Sequence, residues 1–247
     1  MASNNLLINP PVIAHRGASL YAPENTLAAF RKAKELGVNW VEFDVMLTLD
    51  DEVVVIHDET LERTTNGVGR VCDFPLSYLK TLDAGSWFNP NFANEKIPTL
   101  LEVITLLNQF HLSANIEIKA QPGKEEATVK KVLSLVEQHW NKEQAAPLIS
   151  SFNLPILELV RKYSPTSRLG FLMDTWESDW KDTCDKLQAI SVNVNQQWLD
   201  ADKVNQIKVT QRALLAYTVN DPKRADELYA WGVDAVFSDD PGIIFGS

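Results

Sequence analysis

Short apolar runs typical of strands alternate with longer stretches of helical spacing from near the start of the chain to its end. The strand candidates are Val12–His15, Trp40–Thr48, Val53–His57, Asn115–Lys119, Leu148–Ser151, Leu169–Met173, Ile190–Asn195, Leu214–Val219 and Ala235–Ser238. The helix candidates include Pro23–Leu36, Glu125–Trp140, Leu154–Tyr163, Ala201–Val209 and Pro222–Trp231. Repeated strand–helix units predict a parallel sheet, because each parallel connection needs a crossover. No Gly-rich linker divides the pattern, so we expect an α/β chain that forms one (β/α)8 TIM barrel domain across residues 1–247.

Nine strand candidates compete for the eight places of such a barrel. Only four residues separate the second candidate from the third, too few for a parallel crossover of about a dozen residues. The Asp50-Asp51 pair in this gap predicts a hairpin turn, since Asp tolerates the left-handed conformation. We therefore expect Val53–His57 to return antiparallel outside the barrel. A two-residue turn would pair Asp44 with His57 and place both side chains on one face.

The stretch from about residue 59 to residue 97 has little periodicity and many turn-forming residues. A long irregular segment inside a compact domain is usually functional or forms a small subdomain. Its apolar residues Trp87, Phe88 and Phe92 lead us to expect a lid packed on the barrel mouth. The alternative is an insertion that the surface merely tolerates.

Composition supports a folded enzyme-sized domain. The chain has 247 residues, of which 45% are hydrophobic and 23% charged, which excludes a disordered or fibrous protein. Cys72 and Cys184 are its only cysteines and form no CxxC motif. This excludes a disulfide framework and a thiolate zinc site, and it favours a reducing compartment.

The chain carries a formal net charge of −10, from 33 acidic and 23 basic residues. A field of that sign disfavours nucleic acid and membrane surfaces as partners, and an anionic substrate would need cations gathered locally. No apolar run approaches the roughly 20 residues of a membrane-spanning helix. The opening residues lack a charged region followed by a long apolar region, so they do not predict a signal peptide. We expect a soluble cytoplasmic protein.

Acidic side chains mark the ends of two predicted strands, where barrel enzymes carry their active sites. Glu42 and Asp44 are two residues apart, so they share the face that points into the barrel, and Glu117 and Lys119 share a face likewise. Buried carboxylates are costly unless they are paired or hold a metal, and an internal salt bridge is the alternative for each one. Three carboxylates at one mouth favour a metal, and oxygen ligands suit Mg²⁺ or Ca²⁺.

Two of the four histidines, His15 and His57, also lie at predicted strand ends. Either alone is more often structural, but two at one rim fit a general acid and a general base. Arg16 and Lys119 supply local cations, the first able to clamp phosphate oxygens and the second acting as a point charge. Together these residues indicate metal-assisted attack on an anionic centre, most simply a phosphoryl group.

Six stretches run in order from about Val12 to Pro241: AHRGASLYAPENTLAAF, EFDVMLTLDDEVVVIHDETLERTTNGVG, NIEIK, SSF, AYTVND and WGVDAVFSDDP. Together they resemble the glycerophosphodiester phosphodiesterase family, most closely its small cytosolic bacterial branch. HRG or SF alone would mean little, but the ordered combination is highly specific and covers nearly the whole chain.

The resemblance implies a role for each matched residue. It makes His15 and His57 the acid–base pair, Glu42, Asp44 and Glu117 the ligands of the divalent metal, and Arg16 and Lys119 the phosphate contacts. Glu24 and Asn25 would build the first loop around the site, the insertion with Trp87 would border the glycerol pocket, and Phe152 and Tyr217 would line the substrate pocket. Tyr217 stands where many members have Trp, which keeps an aromatic wall with a polar tip.

The function expected from this resemblance is hydrolysis of a small glycerophosphodiester to sn-glycerol 3-phosphate and an alcohol such as choline or ethanolamine. Whether the nucleophile is water or the substrate's own hydroxyl stays open, as does the division of acid and base roles. The rivals are a phospholipase-D-like activity on lysophospholipids and a barrel that binds phosphodiesters without cleaving them. We expect a monomer or a homodimer, with no nucleic-acid or membrane partner.

Overall fold

Strands and helices alternate along the computed structural model, which describes Leu6 and residues 8–245. The strands are β1 Val12–Ala14, β2 Trp40–Leu47, β3 Val53–Val55, β4 Ser113–Ile118, β5 Leu148–Ser151, β6 Arg168–Met173, β7 Ser191–Asn195, β8 Ala213–Tyr217 and β9 Ala235–Ser238. The helices are α1 Leu27–Glu35, α2 Leu76–Leu79, α3 Leu100–Phe110, α4 Glu125–His139, α5 Leu154–Tyr163, α6 Trp180–Leu187, α7 Ala201–Lys208, α8 Pro222–Trp231 and α9 Pro241–Phe245. Within the described residues, no helix has the length and apolar character needed to cross a membrane.

Eight of the nine strands form a closed parallel barrel, which confirms the predicted (β/α)8 class. The strand order is β1-β9-β8-β7-β6-β5-β4-β2, and pairing of Ala14 with Val41 closes the ring between β1 and β2. The remaining strand, β3, pairs antiparallel with β2 and lies outside the ring, as the short connection predicted.

The predicted register of this hairpin was wrong by one residue. Leu47 pairs with Val53 and Val45 with Val55, so the Ile56 amide, and not His57, bonds the Asp44 carbonyl, at 3.1 Å. The loop has three residues, with Asp51 in the left-handed region at φ 56°, and not the two residues we expected. One extra loop residue moves every cross-strand partner by one.

Helix α1 begins later than the pattern predicted, at Leu27 and not at Pro23. The Thr26 side chain accepts the Ala29 amide and caps the helix. The residues before it form a turn in which Asn25 is left-handed, at φ 57°. This turn brings the loop to the barrel mouth.

The side chains of β2 alternate between two environments, as expected for a barrel strand. Val41, Phe43 and Val45 belong to the main apolar core between the barrel and its helices. Trp40 lies in a second cluster, which fills the N-terminal end of the barrel interior with side chains such as Ile13 and Leu148. Glu42 and Asp44 therefore occupy the interior toward the C-terminal end.

The insertion forms a small subdomain with its own core, and the aromatic residues that we expected to form a lid do not line the main cavity at the barrel mouth. Its residues Leu61, Val71, Leu79, Leu82 and Ile97 pack together with residues of β2 and β3. Because these apolar side chains bury against each other and the β2–β3 hairpin, little is left to cover the mouth. Trp87, Phe88 and Phe92 pack edge to face in sequence, with centroid distances of 5.7 Å.

Candidate active site

Neighbouring strands β2 and β4 bring the three predicted carboxylates together. Asp44 stands opposite Glu117 in the β2–β4 ladder, and Glu42 lies two residues before Asp44 on the same face. One oxygen of each side chain lies within 4.8 Å of one oxygen of the others, and all three side chains are buried or nearly so. The spacing fits a single ion surrounded by oxygen ligands.

The electrostatics of this triad also fit a cation. Burial and the charges of Asp44 and Glu117 raise the pKa of Glu42 well above its usual range. Burial and the charge of Asp44 raise the pKa of Glu117 to about 8. Burial opposes ionisation of Asp44 too, but the charges of Lys119, His57 and Arg16 outweigh it and lower its pKa. With all three acids ionised, the site would carry more negative charge than Arg16 and Lys119 neutralise, and these residues suit a divalent metal such as Mg²⁺ or Ca²⁺.

Lys119 contacts the acidic triad mainly through an ion pair with Asp44. Its Nζ lies 3.0 Å from Asp44 Oδ1 and 3.8 Å from Glu117 Oε1, and it donates to the His57 carbonyl at 3.3 Å. The ion pair with Glu117, which would be the salt-bridge alternative to a metal role, is thus the longer of the two. Lys119 keeps a partner even when Glu117 is removed.

Arg16 approaches the triad from the turn after β1. It is left-handed, at φ 53°, and its amide donates to Glu42 Oε2 at 2.9 Å. Gly17 follows at φ 81°, where a Cβ would lie 2.6 Å from the Ala29 Cβ, so the HRG turn needs glycine there. The buried Arg16 Nε has no hydrogen-bond partner in the part of the chain that the structure describes. It lies 3.7 Å from Asp44 Oδ2, so it has an ion-pair partner but makes no hydrogen bond there.

His15 is held by a carboxylate from the far end of the chain. Its Nδ1 donates to Asp239 Oδ1 at 2.7 Å, while its Nε2 lies 3.9 Å from Glu42 Oε2. Burial opposes ionisation of Asp239, but hydrogen bonds from His15, Asn220 and Ser19 outweigh it and lower its pKa to about 2. An ionised partner on Nδ1 leaves Nε2 to face the triad.

His57 has the same kind of partner, supplied by the next residue. Its Nδ1 donates to Asp58 Oδ1 at 2.6 Å. Burial and the charges of Lys119 and Arg16 lower the pKa of His57 despite the charge of Asp44. The imidazole is therefore inclined to stay neutral, ready to accept a proton.

Arg63 of the insertion links the two sides of the site. Its guanidinium donates to Asp58 at 2.6 and 2.9 Å and to Glu24 at 2.6 and 2.9 Å. Glu24 Oε1 also accepts from Arg16 Nη1 at 2.9 Å. Hydrogen bonds from Arg63 lower the pKa of Asp58, so the carboxylate that orients His57 stays ionised. An unbroken chain of ion pairs connects His57 with the Arg16 guanidinium.

Glu24 and Asn25 support this centre and do not line its main cavity. The Asn25 side chain donates to Asp44 Oδ2 at 2.9 Å and accepts from the Asp44 amide at 3.4 Å. Both residues lie beside His57 in a small neighbouring cleft. Asn25 therefore orients a carboxylate of the triad, and Glu24 orients Arg16.

A cavity of about 420 Å³ opens above the triad. Its walls include both histidines, Arg16, Asn195, Gln197, Phe152 and Tyr217. The Phe152 ring is 50% exposed and contacts Tyr217 edge to face at 5.9 Å. The buried Tyr217 hydroxyl bonds to no other group among the described residues, which leaves it free for a ligand.

Neither Trp87 nor any other described residue of segment 59–97 lines this cavity. The Trp87 indole donates to the Ala84 carbonyl at 2.9 Å, and the side chain is 41% exposed. The packing of the insertion on its own core accounts for this position.

Sequence reasoning missed two residues that complete the site, Asp239 and Arg63. Asp239 belongs to the SDDP stretch, directly after the last strand, so its place at a strand end was the available signal. Arg63 belongs to the matched stretch that contains His57, but it lies in the irregular insertion, where no strand or helix pattern gives its position. Its role depends on how that segment folds back against the mouth.

Comparisons with known proteins agree with this geometry. The model of the glycerophosphoryl diester phosphodiesterase family matches residues 15–243. A glycerophosphodiester phosphodiesterase of Caldanaerobacter subterraneus subsp. tengcongensis is 40% identical over 239 residues, which cover 93% of this chain and 94% of the relative. A glycerophosphodiester phosphodiesterase of Bacillus subtilis is 32% identical over 262 residues, covering 98% of this chain and 88% of the relative. A solved phosphodiesterase of Oleispira antarctica, in complex with the product sn-glycerol 3-phosphate, superposes with a TM-score of 0.94 at 40% identity over 96% of each chain.

Proposed function

The chain belongs to the glycerophosphoryl diester phosphodiesterase family, and from this premise we propose that it hydrolyses glycerophosphodiesters by metal-dependent acid–base catalysis. The products would be sn-glycerol 3-phosphate and an alcohol. One observation carries the proposal: two histidines, each oriented by an ionised carboxylate, face one cavity beside a buried triad of acids. The Oleispira antarctica structure, similar in fold and sequence, contains the same glycerol phosphate product.

The two histidines would move the protons of the reaction. Each has its Nδ1 engaged by an aspartate, so the proton held at that nitrogen stays in place and Nε2 is the nitrogen that reacts. One histidine would accept the proton of the attacking oxygen, and the other would protonate the departing alkoxide. A cavity built only for binding would need no such pair.

Positive groups around the cavity would hold the phosphate. The Arg16 guanidinium and the Lys119 ammonium both form ion pairs with Asp44 of the triad, and both would attract an anion in a protein of net charge −10. Glu42, Asp44 and Glu117 would hold the Mg²⁺ or Ca²⁺ ion. When bound, this ion supplies the charge that neutralises the phosphate and favours attack on phosphorus.

The decisive experiment measures release of glycerol 3-phosphate from glycerophosphocholine by the purified protein, with Mg²⁺, with Ca²⁺ and with a chelator. We expect metal-dependent release that His15→Ala and His57→Ala abolish or nearly abolish. Turnover of lysophosphatidylcholine with none of glycerophosphocholine would instead establish the phospholipase-D-like rival. Binding of glycerophosphocholine without any release would establish a non-catalytic barrel. The cytoplasmic location and the monomeric or homodimeric state stay predictions.

A further inference from the structure

A second cavity, of about 230 Å³, adjoins the first on the side of the β4 and β5 ends. Glu117 and Phe152 line both cavities, so the two spaces meet beside the triad. The floor of the second cavity is apolar, formed by Met46, Ile118 and Ile156. We call this second cavity the side groove.

Nearly all the free polar groups of the side groove are hydrogen-bond acceptors. Glu59, which is 66% exposed at its side chain, supplies a carboxylate whose ion pair with Arg70 is long, at 3.9 Å. Gln121 is only 7% exposed, and its Oε1, like the buried Oδ1 of Asn153, has no hydrogen-bond partner within the described residues. Among the described residues that line the groove, Lys119 is the one cation, and it is already paired with Asp44. A group with positive charge or spare N–H donors suits such walls.

An aromatic ring stands at the junction of the two cavities. Half of the Phe152 side chain is exposed there, and the described structure gives its ring one aromatic neighbour, Tyr217, on the side of the main cavity. An ammonium group over such a ring is attracted by the negative face of the π system. The ring and the Glu59 carboxylate would therefore act on the same cation.

We propose that the side groove is the subsite for the leaving alcohol and that it selects amino alcohols with a cationic ammonium group, such as choline or ethanolamine. This rests on the proposed function. With the phosphate held by Arg16 and Lys119, the ammonium group lies two carbons beyond the phosphate ester and enters the groove toward Glu59. The glycerol then occupies the main cavity, where Asn195, Gln197 and Tyr217 offer both donors and acceptors to its hydroxyls.

The test compares two diesters that differ only in charge: glycerophosphocholine and the neohexyl ester, in which carbon replaces the choline nitrogen. The measured quantity is the ratio of their kcat/KM values. The wild-type protein should prefer the choline ester, and Glu59→Gln should lower that preference about two- to fivefold, as expected for one solvent-exposed charge pair. Phe152→Leu should lower it by a similar factor, about two- to fivefold, through loss of the cation–π contact.

Glu177→Gln is the matched control, because it removes an exposed carboxylate that does not line the side groove. Glu177 is exposed and acts electrostatically on Tyr217, away from the side groove. It should leave the preference unchanged. Equal kcat/KM values for the two esters in the wild-type protein, or a preference that responds to Glu177 and not to Glu59, would overturn the subsite. Both outcomes require that the diesters be cleaved, so they are distinct from failure of the proposed function, in which neither ester releases glycerol 3-phosphate.

Discussion

Replacing Glu117 with Gln should make the metal-free protein more stable at high pH while abolishing its response to metal. Glu117 is nearly buried, and its pKa is raised from 4.5 to about 8 by burial and by Asp44. The folded metal-free protein therefore keeps a proton on Glu117 up to about pH 8, whereas the unfolded chain releases it near pH 4.5. Folding takes up a proton between these values, so stability falls as the pH rises through this window.

The size of the stability change follows from the difference between the pKa values of Glu117 in the folded and the unfolded protein. A pKa raised from 4.5 to about 8 corresponds to about 5 kcal/mol of stability lost once the pH exceeds both values. Glutamine keeps the shape of the protonated acid but cannot ionise. Metal-free Glu117→Gln should thus melt close to wild type at pH 5 and about 10–20 °C above it at pH 9, since each kcal/mol is worth about 2–4 °C in a chain of this size.

Metal should narrow the gap between the two proteins at pH 9, because only the wild-type protein keeps all three carboxylates. A cation at a hundredfold excess over its Kd stabilises the wild-type protein by about 2.7 kcal/mol, or roughly 5–10 °C, through preferential binding to the folded state. The variant lacks one ligand charge, so its shift should collapse together with its activity. Melting curves at both pH values, with a chelator and with Mg²⁺ or Ca²⁺, measure all of these quantities.

Glu102→Gln is the control, because its expected effect on the melting temperature at pH 9 is opposite in sign. Glu102 caps α3 and accepts from Lys80 Nζ at 2.7 Å, and although burial opposes its ionisation, these contacts lower its pKa. This variant should melt below wild type at pH 9 with or without metal. If Glu117→Gln behaved in the same way and kept the metal shift, Glu117 would be a structural partner of Lys119 and not a metal ligand. The 3.0 Å contact between Lys119 and Asp44 argues against that outcome, because it leaves Lys119 paired.

Three further predictions concern the histidines and their supports. His15→Ala and His57→Ala should each lower kcat by roughly 10²–10⁴-fold at nearly unchanged melting temperature, the usual share of one acid–base group; wild-type turnover in either variant would remove that histidine from the mechanism. Asp239→Asn should lower kcat by roughly tenfold or more, yet by less than His15→Ala, because the amide can still accept from Nδ1 without stabilising the charged ring; an unchanged kcat would mean that Asp239 only anchors the last loop. Arg63→Met should raise the pKa of His57, because the Asp58 carboxylate would then interact with His57 and no longer with Arg63. NMR titration of the His57 ring protons measures this pKa. Arg70→Met, in the same insertion, should leave that pKa unchanged, and an equal response of His57 to both variants would refute the linking role of Arg63.

Local sequence patterns were enough to predict the barrel and the centre of its site. Strand and helix periodicity depends on each segment's own residues, so the predicted bounds of β5, α5, α8 and β9 agree with the structure. The same alternation placed Glu42 and Asp44 on one interior face, and parallel pairing of β2 with β4 then set Glu117 opposite Asp44. The short connection after β2 was likewise sufficient to exclude β3 from the barrel.

Tertiary structure alone decided which distant groups complete the site. His15 and Asp239 are 224 residues apart in the chain, so no local pattern predicts their contact. They meet because closure of the barrel makes β1 and β9 neighbours. Arg63 reaches Glu24 and Asp58 only after the insertion has buried its own apolar side chains, and the same packing keeps Trp87 away from the cavity. The hairpin register depended on the loop length, which is three residues with Asp51 left-handed, because the Asp50-Asp51 pair is compatible with a two-residue or a three-residue loop. Periodicity determines which face a side chain occupies, whereas closure and packing determine which side chains meet.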